Sequence, residues 1–137
     1  MTRRLHGDRG SVMPMAAILV AFLMIGAWAL VSASQQWTAR RDAYAAAAAA
    51  ARAAAQADPS SLRAGVVLDH DGAVGRAQAI LAAGGYHGSV TVDGVTVTVT
   101  VTAPVVYAFP SPGFPGSVVG TATATVRRGV TGQEEAG

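Results

Sequence analysis

The chain has no cysteine among its 137 residues, and this absence limits both its stability and its chemistry. A disulfide framework, a thiolate metal site and a cysteine nucleophile are all excluded. Lysine is absent as well, since all ten basic residues are arginine, and these are scattered along the chain. A net charge of +2 spread in this way falls short of the clustered positive charge that nucleic-acid binding requires. We therefore expect a fold without covalent cross-links and no nucleic-acid partner.

Potential catalytic and metal-binding side chains are too few and too dispersed to indicate an enzyme. The run Asp69-His70-Asp71 is a cluster of potential metal ligands, but adjacent residues do not converge unaided on one ion, and Asp71 is better suited to capping a helix. His6 and His87 supply no metal-ligand spacing. We expect no catalytic residues, no metal, no cofactor and no small-molecule substrate.

What the chain does have is an apolar segment from Val12 to Val31 without a charged side chain. Twenty helical residues at about 1.5 Å each reach roughly 30 Å, the thickness of the hydrocarbon core of a bilayer. Three arginines lie close before it, and Arg40 and Arg41 lie further away after it. We expect a single-pass transmembrane helix at residues 12–33, with a short basic tail, residues 1–11, in the cytoplasm and the remainder outside the cell membrane.

A cleaved signal peptide is the alternative interpretation of the same segment. Val31-Ser32-Ala33 offers small residues for cleavage between Ala33 and Ser34. The apolar region of a signal peptide usually runs about 7 to 15 residues, shorter than this segment, and Trp28 and Trp37 are placed like interfacial aromatics. We therefore favour the anchor, and keep as the alternative an exported surface binding module whose signal peptide is removed.

An alanine-rich stretch follows the apolar segment and runs from Ala45 to Ala51, then beyond Arg52. Alanine loses no side-chain entropy in a helix, so the two segments together predict one helix of about 45 residues. The helix is expected to end near Asp58-Pro59, because proline disfavours the α conformation of the residue before it. The alanine run is either a packing surface for a sister helix or a spacer.

A second, shorter helix is predicted between Asp71, as its N-cap, and a Gly84-Gly85 stop. Apolar or small residues recur within it at intervals of three and four, which predicts one buried face. They are Ala73, Val74, Ala77, Ile80 and Leu81.

Alternating valine and threonine predict an antiparallel sheet. Asp93-Gly94 suits a type I′ turn, which would pair Val92 with Val95 and place the valines of both strands on one face. A third strand is predicted from Val118 to Arg127. The fold class is therefore α+β, with a long N-terminal helix, a short helix and a three-stranded sheet. The head is expected to span residues 34–130.

An aromatic, proline-rich loop runs from Pro104 to Pro115 and carries Tyr107, Phe109 and Phe114. Exposed aromatics are unfavourable in water unless something covers them, so these three residues are candidates for partner contact. The alternative is that they fold back over the valine face of a thin sheet. The last residues, 131–137, are expected to be disordered.

The order of these features resembles the TadE/TadG-like proteins of tight-adherence (Tad, or Flp) pilus-assembly systems, in particular the small actinobacterial members. The resembling residues are Asp8-Arg9-Gly10-Ser11-Val12 before the span, Ala39-Arg40-Arg41 after it, the alanine-rich helix, and the closing strand Ala122-Thr123-Ala124-Thr125-Val126. The resemblance implies an assembly role, with pilin-like or secretion-apparatus subunits, or further copies of this chain, as partners in the membrane.

The resemblance also implies a processing site between Gly10 and Ser11, where a prepilin peptidase would cut. Pilins typically carry glutamate five residues after the cut, and here that position is Met15. A buried glutamate would compensate the N-terminal amine of a neighbouring subunit, so its replacement favours an accessory or minor pilin-like protein over a major pilin.

Overall fold

The computed structural model describes residues 12–56 and 68–126. These residues form two helices and one antiparallel three-stranded sheet, which confirms the α+β fold class. In chain order the elements are α1 (Val12–Ala55), α2 (His70–Ala83), β1 (His87–Asp93), β2 (Thr96–Pro104) and β3 (Ser117–Thr125).

Helix α1 runs without a break for 44 residues, so the predicted continuous helix is confirmed. At 1.5 Å per residue it is about 66 Å long, more than twice the hydrocarbon thickness of a bilayer. The helix ends at Ala55, and the Asp58-Pro59 stop lies outside the described residues. It passes residues 33 and 34 without interruption, so the expected junction between span and head lies inside one rigid rod.

The two halves of α1 have different surroundings. Every described residue from Val12 to Ala27 is exposed. In the second half, alanines form a buried stripe that the sheet and α2 cover. The buried alanines are Ala43, Ala47, Ala50, Ala51 and Ala54. The alanine run is therefore the surface on which the chain packs its own head.

Helix α1 and the sheet come into backbone contact at Gly120 of β3. A Cβ atom at this position would lie 2.5 Å from the backbone carbonyl carbon of Ala43 and 2.5 Å from the backbone nitrogen of Tyr44. A side chain cannot occupy that space, since real Cβ contacts are never so short. Glycine on the strand and alanine on the helix together allow the two backbones to meet.

Helix α2 begins two residues earlier than the sequence indicated. Asp69 occupies the N-cap position, and its carbonyl accepts the first helical hydrogen bond from the Ala73 amide at 2.9 Å. The predicted cap, Asp71, lies instead in the first turn, where its charge complements the helix dipole. The Gly84-Gly85 stop is confirmed, since the Gly85 and Tyr86 amides close the helix end on carbonyls of the last turn.

The buried face of α2 is narrower than predicted. Ala73, Ala77 and Leu81 are buried, whereas Ile80 is 42% exposed. In the middle of α2, Arg76 donates a hydrogen bond from Nη2 to the Ala54 carbonyl at 3.3 Å. This cation sits at the C-terminus of α1, where the helix dipole favours positive charge.

The β1–β2 hairpin forms in a register two residues away from the predicted one. Val92 pairs with Val97, not Val95, and Gly94 and Val95 occupy the turn. A type I′ turn would need positive φ at both central residues, but here only Gly94 has it, at 58°. Glycine first and an ordinary residue second fits a type II′ turn. A shift of two residues keeps every side chain on its face, so the valines still share one side.

The two faces of the sheet differ in chemistry. Val97, Val99 and Val101 of β2 are fully buried beneath the helices. On the opposite face, threonines pair across β2 and β3 through hydroxyl contacts of 3.3 and 3.4 Å. The third strand is confirmed, and Arg127, its predicted last residue, lies outside the described residues. The core is therefore a thin layer of valine and alanine, with Leu81 of α2 as the one buried leucine among the described residues.

We predict that Gly120→Val weakens the packing of the sheet on α1. The new side chain would force the backbones apart, which costs about 1–3 kcal/mol or more in a packed core. The measurement is thermal unfolding of the full chain in detergent. Gly116→Ala is the matched control, because a Cβ at Gly116 meets nothing within 4 Å. Equal unfolding temperatures for the two variants would show that the helix and sheet are not in close contact.

Candidate functional site

The first half of α1 is a candidate membrane span or signal peptide. It is the one helix within residues 12–56 and 68–126 that is long and apolar enough to cross a membrane. Its large apolar side chains are between 42% and 82% exposed. They are Val12, Met13, Met15, Ile18, Leu19, Val20, Phe22, Leu23, Met24, Ile25, Leu30 and Val31. A continuous apolar surface of this kind is unfavourable in water and needs lipid or other apolar helices around it.

The chain between β2 and β3, residues 105–116, is here named the aromatic loop. It lies against α1 at the end of the apolar segment, where three hydrogen bonds hold it. These run from Trp28 Nε1 to the Pro110 carbonyl (3.3 Å), between Ser32 Oγ and Ser111 Oγ (2.9 Å), and from the Ala108 amide to Gln35 Oε1 (3.2 Å). The loop is thus tied to the helix at successive levels from residue 28 to residue 35.

Aromatic contacts support the same attachment. The Trp28 and Phe114 rings meet edge to face with their centroids 5.6 Å apart. Phe114 also lies 6.0 Å from the Tyr107 ring, whose hydroxyl donates to the Pro115 carbonyl at 2.8 Å. Edge-to-face pairs at these distances add about 0.5–1.5 kcal/mol beyond the area they bury.

The three aromatic residues singled out from the sequence have separate roles. Tyr107 packs against the edge of the core. It is therefore the one aromatic residue of the three that folds back toward the sheet, as the alternative to partner contact predicted. Phe114 is half-buried on Trp28. Phe109 is 61% exposed. The valine face itself is covered by the helices, and the loop extends the head along α1 toward the apolar segment.

Sequence reasoning missed the helix residues that receive the loop. Ser32 is the one buried polar residue among those described, at 2% exposure, and it lies within the predicted transmembrane helix at residues 12–33. A hydroxyl inside an apolar helix, followed one turn later by Gln35, was the available indication of a contact partner. Nothing in the spacing pointed to Ser111 as that partner.

Of the two candidate processing sites, the structure describes only the one between Ala33 and Ser34. Gly10 and Ser11 lie outside the described residues. Ala33 and Ser34 lie within the unbroken α1, directly after the buried Ser32. Cleavage between them would detach Trp28 and Ser32, and with them two of the three hydrogen bonds that hold the aromatic loop.

A cleft of about 700 Å³ lies beside the loop, between α1 and the adjoining end of the sheet. Its ionisable lining consists of Asp42, Tyr86 and His87, with small polar residues such as Ser34 and Thr38 around them. No group of three or more His, Cys, Asp or Glu within residues 12–56 and 68–126 is placed to hold a metal ion. The lining of the cleft is therefore mixed, with these polar groups set among apolar ones such as Ala103, Pro104 and Val106.

Comparisons with protein-family models, with curated proteins and with solved structures found no match for this chain. Function must therefore follow from the exposed apolar helix and the loop attached at its end.

We predict that Trp28→Ala releases the aromatic loop from α1. The substitution removes the bond to Pro110 and the contact with Phe114, which in turn packs on Tyr107, so chymotrypsin should cleave the full chain in detergent faster after Tyr107. Tyr107 precedes Ala108, whereas Phe109 and Phe114 each precede a proline and are not cleaved. Trp37→Ala is the matched control, because Trp37 is 66% exposed and its recorded ring contact is with Arg40. Equal cleavage rates in both variants would mean that Trp28 does not hold the loop.

Proposed function

We propose that this protein is an accessory or minor pilin-like component of a tight-adherence pilus or secretion apparatus, with a structural role. The observation that carries the proposal is the division of α1, which is bare and apolar over one half and packed beneath a small α+β head over the other. In this proposal residues 12–33 anchor the chain in the cell membrane. The N-terminal tail is cytoplasmic and the head is extracytoplasmic.

The exposed apolar part of α1 suits a subunit that moves from one apolar environment, the lipid, into another, a bundle of sister helices. Lipid covers it while the protein resides in the membrane. Because the head leaves the residues from Val12 to Ala27 uncovered, this part of α1 stays accessible on all sides to sister helices during assembly. Its small residues, such as Ala17 and Ala21, are spaced four apart and allow close helix approach in lipid.

The residues just beyond the apolar segment are suited to the interface at the outer face of the cell membrane. The Arg40 guanidinium lies 6.0 Å from the centroid of the Trp37 ring, and both side chains are exposed. Tryptophan concentrates at membrane interfaces, and arginine beside it is placed to meet lipid headgroups. This arrangement supports the emergence of α1 from the bilayer near Trp37.

The alternative, an exported module freed by cleavage after Ala33, fits the contacts less well. The head uses Trp28 and Ser32 to hold its own loop, and both would be lost with the signal peptide. A retained anchor keeps these partners in place.

We predict that Leu23→Arg abolishes stable membrane insertion. Leu23 lies mid-span and is 64% exposed, and a charge there costs on the order of 3 kcal/mol on insertion scales. The wild-type chain should stay with membranes through a carbonate wash, and the variant should not. Val95→Arg, on an exposed turn at the far end of the sheet, controls for the added charge. Release of the wild-type chain by carbonate would rule out the anchor.

We further predict that the full chain, tagged at its C-terminus and cross-linked in its own host, co-purifies with other pilin-like or apparatus subunits. Leu23→Arg should lose these partners, while Val95→Arg should keep them. Identification is by mass spectrometry of the captured complex. Recovery of a soluble binding partner without any apparatus subunit, with equal yield from both variants, would favour the exported binding module.

A further inference from the structure

We propose that the aromatic loop is a second membrane contact, with Phe109 and its apolar neighbours seated in the outer interface of the bilayer beside the span. This inference rests on the proposed anchoring of α1. The sequence indicated that this loop contacts a partner but did not identify the partner. Here the partner is the lipid surface.

The first argument is the position along α1 at which the loop is attached. Pro110, near the tip, is bonded to Trp28, three residues before the apolar segment ends at Val31. At 1.5 Å per residue this places the attachment about 4.5 Å on the lipid side of that end. Amphipathic structures at an interface bury their apolar side by about 5–10 Å, so the tip lies at the depth where lipid contact begins.

The chemistry of the loop surface is the second argument. Val106 is 83% exposed and Phe109 is 61% exposed. The chain carries no charged side chain from Gly94 to Val126, so no ionised group has to be dehydrated when the loop enters the interface. Phe114 of the loop also contacts Trp28 of the span, so apolar groups of the loop and of the span meet at this level.

The backbone of the loop is the third argument. Unpaired backbone polar groups are costly near lipid, which generally keeps irregular loops out of the membrane. Here three of the residues, Pro110, Pro112 and Pro115, have no amide hydrogen to satisfy. Some of the other backbone groups are paired within the head or on α1, namely the amides of Val105, Ala108 and Phe114 and the carbonyls of Phe109, Pro110, Ser111, Pro115 and Gly116. The remaining amides need partners from water and lipid headgroups, which the interface supplies and the hydrocarbon core does not.

A second point of contact also has a mechanical consequence. Because α1 is one continuous helix, a single span leaves the whole molecule free to tilt in the membrane. A loop fixed to α1 and seated in the same interface restricts that tilt, because any tilt away from the loop would lift Phe109 out of the lipid. The contact would therefore set which side of the head leans toward the membrane.

The experiment uses the absence of native cysteine, so that each variant of the full chain carries one thiol for a polarity-sensitive fluorophore. The label is placed by Phe109→Cys in the loop, Leu23→Cys in the span and Val95→Cys at the far turn. The chains are reconstituted in phosphatidylcholine and phosphatidylglycerol vesicles. Nitroxide lipids then quench the label from a shallow or a deep position in the acyl chains.

We expect the shallow nitroxide to lower the emission of the label at position 109 roughly twofold, as suits a residue in the interface. The label at position 23 should respond most to the deep nitroxide, and the label at position 95 to neither. Equal unfolding temperatures of the three unlabelled variants would establish that each is folded.

The outcomes separate the two proposals. If the label at position 23 is quenched but the one at 109 emits as in water, the loop proposal is wrong and the anchor stands. If the label at 109 is unquenched yet blue-shifted, protein covers the loop, as a second copy of the chain would, and lipid does not. If the label at position 23 is unquenched, the anchoring is wrong and the loop proposal fails with it.

Discussion

The close approach of β3 to α1, at Gly120 over Ala43, is the contact on which the rest of the structure depends. Valine and alanine are the largest contributors to a thin core, so the sheet gains enough contact only by lying directly on the helix backbone. Seating β2 and β3 at this depth also determines where their connection emerges. The aromatic loop leaves the sheet beside α1, within reach of Trp28 and Ser32.

The two halves of α1 therefore lie in different environments. Its first half carries bulky apolar side chains that face outward, as suits lipid, whereas its second half carries alanines that face the head. The residues between the halves, from Trp28 to Gln35, combine an apolar setting with a few hydrogen-bonding groups. That combination suits a membrane interface, and it is where the head is tied to the span. The proposed lipid contact of Phe109 extends the same logic to the tip of the loop.

Periodic features of the sequence were predictable, and isolated contacts were not. The valine alternation placed the correct face of the hairpin inward even though the turn was misplaced at Asp93-Gly94, since a two-residue shift preserves the faces. The attachment of the loop depends on single side chains such as Ser32 and Ser111, which lie 79 positions apart and belong to no repeat. Alanine likewise signalled a helix without indicating what would cover it.

The most direct test of the membrane-anchored account is the N-terminus and intact mass of the mature protein recovered from membranes and from the medium. The account predicts a membrane-bound chain that retains the residues from Val12 to Ala33, whether it starts at Met1 or, after processing, at Ser11. A mature chain that starts at Ser34 and is found in the medium would contradict it, because the head would then lack the helix that anchors it and the side chains that hold its loop.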